Sequence, residues 1–257
     1  MNNYKNFVLL TIGSLLLLFS SCMSKKQFLY LQDIQTYDNS KVILSQNTLQ
    51  ENDILKIDVT SLVMEASIPY NRILAQANQA ISLNILQLNG YLVTKKKTIK
   101  FPVLGEISVA GKSTQDLEDY LKLRLESEGH LIKPNVTIRL LNAKVTILGE
   151  VRNPGTYTFT EKNINFLQAL GLAGDLTMDG SRKNIILIRE TDGQRVTTSI
   201  DLTTANLLNS SFQNIQPNDV IIVNPTQKKV KSAGIVGNIS TVLSIASILL
   251  SSIILIR

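Results

Sequence analysis

The sequence predicts an α+β fold made of short strands, arranged in two consecutive units of similar style. Three observations carry this. Apolar and polar residues alternate over short runs, as half-buried strands require. The runs are separated by Gly, Pro, Asn and Asp, the residues that turn a chain. One strongly amphipathic helix interrupts them, and a second stretch then repeats the same grammar.

Leu55, Ile57 and Val59 alternate with Lys56, Asp58 and Thr60 behind a turn at Asn52-Asp53. Residues 61–90 read as a loop or short helices. Short strands follow at Tyr91–Val93, Ile99–Val103 and Ile107–Val109, punctuated by Gly105 and Gly111. Ser113 with Asp116 forms a capping-box start, after which Leu117, Tyr120, Leu121 and Leu125 share one helical face. Gly129 and Pro134 stop that helix; Val136, Ile138 and Leu140 alternate as the next strand, and Val145 and Ile147 lead into Gly149.

The second unit opens at Asn153-Pro154-Gly155. Pro154-Gly155 fits the central pair of a type II turn, which needs positive φ at Gly155, and Gly149 and Gly155 are read as holding backbone geometry. Phe166, Leu167 and Leu170 predict a short helix ending near Gly171 and Gly174. Asn184–Arg189 reads as a buried strand, Asp192-Gly193 as a hairpin turn, Val196–Ile200 as its partner and Asp219–Val223 as the last strand. Two pairs of fragments echo each other, Leu104-Gly105-Glu106-Ile107 with Leu148-Gly149-Glu150-Val151 and Gln50-Glu51-Asn52-Asp53-Ile54 with Gln216-Pro217-Asn218-Asp219-Val220, which suggests turns of similar geometry feeding strands.

The flanks differ from the body. Lys5, the apolar run Phe7–Phe19, then Ser20, Ser21 and Cys22 follow the plan of a secretory signal peptide, so residues 1–21 are expected to be removed. Cys22 is the chain's only cysteine; small residues before it resemble a bacterial lipoprotein signal, which would put diacylglycerol on its thiol, although Phe19 stands where leucine is usual. Residues 22–47 are then a lipidated tether. Lys228, Lys229 and Lys231 precede the uncharged stretch Ile235–Ile256, closed by Arg257. As a helix it would be about 33 Å long, enough to cross a bilayer core, and a C-terminal membrane helix is expected at 232–257; a buried core helix is the rival. Ser240, Ser244, Ser247 and Ser251 recur at four, three and four, within roughly 60° on one face. That face suits a pore lining or a packing seam between helices.

Net charge is +6, or +5 once Lys5 leaves with the signal segment. Export and the lack of basic segments interleaved with aromatics argue against nucleic acid. Trp is absent, which argues against a stacking platform for sugar rings. His130 is the only histidine, so a serine triad or histidine-rich zinc site has no material, and no cofactor fingerprint is present. No catalytic and no metal residues are assigned. Glu118-Asp119 and Glu126 with Glu128 read as the solvated face of the helix, although two carboxylates placed in space are what a glycosidase needs.

From about Leu49 to Pro225 the order of motifs resembles the polysaccharide export family, the Wza-like outer-membrane proteins. Asn52-Asp53 stands where that family usually has Gly-Asp. Phe101-Pro102-Val103-Leu104-Gly105 and Val109-Ala110-Gly111-Lys112-Ser113 are similar to its glycine-punctuated strands. Gly149-Glu150-Val151 and Asn153-Pro154-Gly155-Thr156-Tyr157 are similar to the start of a SLBB domain, a β-grasp-like module. Ala169-Leu170-Gly171-Leu172-Ala173-Gly174-Asp175 stands at an alanine-rich helix that the family ends in Ala-Gly-Gly, so Asp175 is a departure. The Asn residues at 52 and 218 are mild exchanges for Gly, because Asn tolerates the left-handed region. The resemblance implies a polysaccharide-export domain at 48–142, one SLBB domain at 143–227, a homo-oligomeric ring carrying polysaccharide, membrane lipid at its base, and an inner-membrane polysaccharide co-polymerase as partner. A conduit for capsular polysaccharide or exopolysaccharide is the leading reading. An envelope scaffold or glycan-binding lipoprotein without a pore is the alternative, and the terminal helix separates them.

Overall fold

The structure is a computed structural model that describes residues 28–37, 47–72, 82–191, 193–232, 243–245, 247–248 and 251–252. Strand β1 (Ile54–Thr60) keeps the alternation written in it: Leu55, Ile57 and Val59 are buried and Thr60 is exposed. It is the middle of a three-stranded antiparallel sheet, between β2 (Tyr91–Leu92) and β5 (Asn135–Leu140). The register sets Leu55 opposite Leu140, Ile57 opposite Ile138 and Val59 opposite Val136, so the buried rows coincide.

Between β1 and β2 lie the short helices α1 (Met64–Ser67) and α2 (Leu83–Leu88) and a 3-10 turn at Ile68–Tyr70. Asn71 ties this segment down, accepting from the Val59 N–H and donating to its carbonyl, each at 2.8 Å. The hairpin of β3 (Thr98–Phe101) and β4 (Gly105–Ser108) and helix α3 (Thr114–Ser127) complete the first core. Ser113 and Asp116 cap α3 reciprocally, and Leu117, Leu121 and Leu125 are fully buried.

Two expectations for α3 are corrected. Tyr120 lies exposed beside the buried stripe, its ring under Lys112. Glu118, expected in solvent, is buried and accepts the Ile138 N–H at 2.7 Å, with Lys162 Nζ at 3.7 Å. A carboxylate that satisfies a strand N–H loses less on burial than an unpaired one.

The second unit is a five-stranded mixed sheet of β6 (Lys144–Gly149), β7 (Gly155–Thr158), β9 (Gly180–Thr191), β10 (Gln194–Ile200) and β12 (Val220–Pro225), in the order β10-β9-β12-β6-β7. β6 and β12 run parallel, and the other neighbours are antiparallel. A two-stranded pair, β8 (Ile164–Asn165) with β11 (Asn214–Ile215), and helix α4 (Phe166–Leu172) cover one face. Asn165 and Gln168 make a second capping box at 2.8 Å in each direction. Phe166, Leu170, Ile147, Ile185, Leu187 and Ile221 fill the core, and α5 (Gln227–Ser232) follows β12.

The turn expected at Pro154-Gly155 is different. Gly155 opens β7 opposite Ile147 and its φ is not positive. The preceding loop bonds to another segment instead of closing on itself: the Arg152 N–H donates to the Asp175 carbonyl at 3.0 Å and the Asn153 N–H to Ala173 at 2.9 Å. Pro154 lies in that exposed loop. Gly149 is the demanding glycine, with φ +87 and room for no side chain, since a Cβ there would come within 2.1 Å of the Val223 carbonyl oxygen.

Candidate functional site

Of the two echoing pairs, Gln50–Ile54 and Gln216–Val220 fold into the same turn. Asn52 and Asn218 have φ of 68° and 69°. In each turn the aspartate accepts the backbone N–H three residues earlier, Gln50 to Asp53 and Gln216 to Asp219, both at 2.8 Å. Each turn also pairs outward by its backbone. The Asn52 N–H donates to the Val93 carbonyl and the Asp53 carbonyl accepts from Val93; Asn218 donates to Lys144 and Asp219 accepts from Thr146. A left-handed residue one step before a buried aspartate thus launches β1 in one unit and β12 in the other.

The electrostatics differ. Asp219 is 1% exposed and takes a forked pair of bonds from Arg189, Nε to Oδ1 at 3.0 Å and Nη2 to Oδ2 at 2.7 Å. Burial raises its pKa while Arg189 pulls it back. Asp53 is 3% exposed and pairs with no arginine among the described residues; burial pushes it up to about 6, against the Gln50 N–H and the charge of Lys97.

Both turns meet at the crossing between the two cores. Asn142 accepts the Ile54 N–H at 2.9 Å and donates to the Asn52 carbonyl at 2.8 Å, while the next strand begins at Lys144, whose carbonyl holds Asn218. Leu140 packs against both cores. Beside the crossing is a cleft of about 480 Å³, lined among others by Asp53, Ser113, Arg139, Glu161, Lys162 and Pro217.

At the far end of the second unit the flanking segments come together. Residues 28–37 run along it: the Leu31 and Gln32 N–H groups donate to the Leu202 and Thr203 carbonyls, and Asp33 accepts the Ala205 N–H at 2.7 Å. Tyr30 donates to Asp175 Oδ1 at 2.6 Å, and burial together with that bond raises its pKa. Asp175 has φ of 70°. A pocket of about 600 Å³ at this end is lined by both Phe28 and Gln227–Lys229.

The residues singled out from sequence are not brought to one place. Residues 1–21, Cys22 and Ser240 lie outside the described residues, and so does most of 235–256. Among the described residues no helix is long and apolar enough to cross a membrane. Ser244, Ser247 and Ser251 lie in helical residues; Ser247 donates to the Ser244 carbonyl and Ser251 to that of Ser247, each at 2.8 Å. Gly149 ends β6 opposite Val223 of the parallel β12, Pro154 lies just before β7 and Gly155 opens it. His130 packs edge-on to Tyr70 and lies 3.3 Å from Glu128. The sequence reading missed Asn142, Arg182 and Arg189. For Arg189 the signal was present, a charge in phase with buried Ile185 and Leu187 on β9.

An α+β chain with this pair of cores, joined by one short crossing and entered through matched turns, is a two-part protein, and comparison with known proteins defines its class. Residues 44–141 match the family described as polysaccharide biosynthesis/export protein, and residues 144–198 match the SLBB domain. The chain belongs to the polysaccharide export family. It is similar to the EPS I polysaccharide export outer membrane protein EpsA of Ralstonia nicotianae, 32% identical over 107 residues, 40% of this chain and 27% of that one. It is likewise similar to EpsA of Ralstonia solanacearum, 31% identical over 100 residues, 36% of this chain and 26% of that one. The matches thus span about a quarter of the length of these relatives.

Proposed function

We propose that this chain is an outer-membrane export conduit, a lipoprotein that assembles as a homo-oligomeric ring and passes capsular polysaccharide or exopolysaccharide, in partnership with an inner-membrane polysaccharide co-polymerase. Residues 1–21 are removed, Cys22 carries the lipid, and residues 22–47 tether the export domain at 48–142. The SLBB domain occupies 143–227, and the stretch at 232–257 crosses the outer membrane, with Ser240, Ser244, Ser247 and Ser251 facing the lumen.

The observation that carries this reading is the meeting of the two flanks. Phe28, six residues after Cys22, and Gln227–Lys229, just before the uncharged stretch, line one pocket at one end of the second unit. Six residues span at most about 20 Å. A lipid at Cys22 and a membrane helix beyond Lys231 therefore leave the same end, and the first unit projects away from the membrane. The glycan's chemistry enters from the family and from the names of the relatives.

Projection images of the detergent-extracted full chain should show closed rings. Cysteine placed at Ser244 or Ser247 should react with a membrane-impermeant thiol reagent in assembled complexes, less so when glycan fills the channel. Dispersed monomers, with crosslinking at those positions but no labelling, would replace the conduit by a scaffold.

A further inference from the structure

The pocket where the flanks meet holds a buried guanidinium with no ion-pair partner among the described residues. Arg182 lies on β9, is 6% exposed, and lines that pocket. Its Nη1 donates to the Thr177 and Gly180 carbonyls at 2.5 and 2.7 Å, and its guanidinium lies 5.5 Å from the Phe28 ring and 5.9 Å from that of Tyr30. These partners are neutral, and the Asp175 carboxylate on this side is met through the Tyr30 hydroxyl, which donates to it. Nε, buried, has no hydrogen-bond partner, and no carboxylate forms an ion pair with this arginine among the described residues. The contrast with Arg189 on the same strand, which is closed against Asp219, is direct. A guanidinium withdrawn from water without an anion is costly, and its planar fork fits phosphate oxygens.

The rest of the lining has the same sign. Lys183, Lys228 and Lys229 also border the pocket, against one carboxylate, Asp179, which pairs with Lys229 at 2.9 Å. The remaining lining includes Phe28 and Met178, and Met178 is 67% exposed. Cationic and apolar groups together at the root of two membrane attachments match the boundary between headgroup and acyl chain.

We propose that this pocket binds the phosphate of an anionic membrane-lipid headgroup, with Arg182 as the buried anchor and Lys183 and Lys228 at the mouth. The occupant is a lipid because the pocket lies within reach of the lipid expected on Cys22, so this inference rests on the membrane attachment proposed above. Such a lipid would fix the orientation of the second unit against the bilayer.

The test is calorimetric titration of the full chain in a non-ionic detergent with dihexanoyl phosphatidylglycerol, dihexanoyl phosphatidylcholine and inorganic phosphate. Phosphatidylglycerol should bind at least about tenfold more tightly than either of the others, and more weakly at high salt. Arg182→Gln could fail to fold, because Arg182 also braces two carbonyls. The deciding variant is therefore Lys183→Gln with Lys228→Gln, both exposed, which should weaken phosphatidylglycerol about tenfold at an unchanged melting temperature. Inorganic phosphate binding as tightly as phosphatidylglycerol makes the site a free-phosphate site and overturns the lipid assignment. No binding of any phosphate probe, or wild-type affinity in the double variant, overturns the site itself. Rings seen without phosphatidylglycerol binding would sink this inference and leave the conduit standing; binding by a chain that never associates with membranes would do the reverse to the attachment reading.

Discussion

The turns at Gln50–Asp53 and Gln216–Asp219 share a backbone, a left-handed asparagine and a carboxylate bonded to the N–H three residues back, yet only the second closes its aspartate with an arginine. Local sequence builds the turn, and the neighbouring strand decides how the buried charge is met. β12 has β9 beside it, with Arg189 on its buried phase. β1 has β2 and β5 beside it, and Asp53 lines the cleft with the charge of Lys97 acting on it. The same motif is thus an ion pair in one unit and a titratable acid in the other.

The largest effect should come from breaking the ion pair. Arg189→Met leaves Asp219 buried and unpaired and should cost about 3–5 kcal/mol, whereas the matching change beside the first turn, Lys97→Met, should cost under about 1 kcal/mol. Adding Asp219→Asn to Arg189→Met should recover part of the loss. Urea unfolding of the set decides this, and equal costs for the two cations would erase the contrast.

The pH response comes next. Asp53 goes from an ordinary 3.8 to about 6 on folding, so between those values the native protein binds more protons there than the unfolded chain. Stability from this group is therefore lost as the pH rises from about 4 to 7, by up to about 3 kcal/mol. Asp53→Asn keeps an acceptor for the Gln50 N–H and should flatten that fall. Unfolding midpoints at pH 4.5 and 7 test it; a variant with the wild-type slope means that Asp53 is not the group.

The smallest effect should be the one that the two turns share. Asn52→Ala and Asn218→Ala each put a less tolerant residue at a φ near +70° and should cost about 1 kcal/mol apiece, while Gly at either position should change little. Thermal melts showing unequal costs would mean that the asparagine side chains do more than accept a conformation.

Much of the fold was legible because its signals are local. The alternation of Leu55, Ile57 and Val59, the Ser113–Asp116 cap and the hairpin that carries Gly193 depend on neighbours within a few residues, and each stands as read. The errors have a different physics. Glu118 reads as solvated because helical charges usually are, but its partner N–H at Ile138 lies 20 residues on. Pro154-Gly155 carries the residues of a closed turn, and a distant segment, 173–175, takes the loop's hydrogen bonds instead. The candidate site was less legible than the fold. Asn142 and Arg182 are ordinary polar residues in sequence, and their roles come from carbonyls and rings that only the folded chain brings near.

The docking of residues 28–37 on the second unit makes the first unit an insertion: the chain touches one body, leaves to build another, and returns at residue 143. Asp33 waits for Ala205, 172 residues later, before its bond can form. The seam between residues 28–37 and the second unit therefore depends on a contact far more distant in sequence than those inside the insertion, and the insertion can form without it.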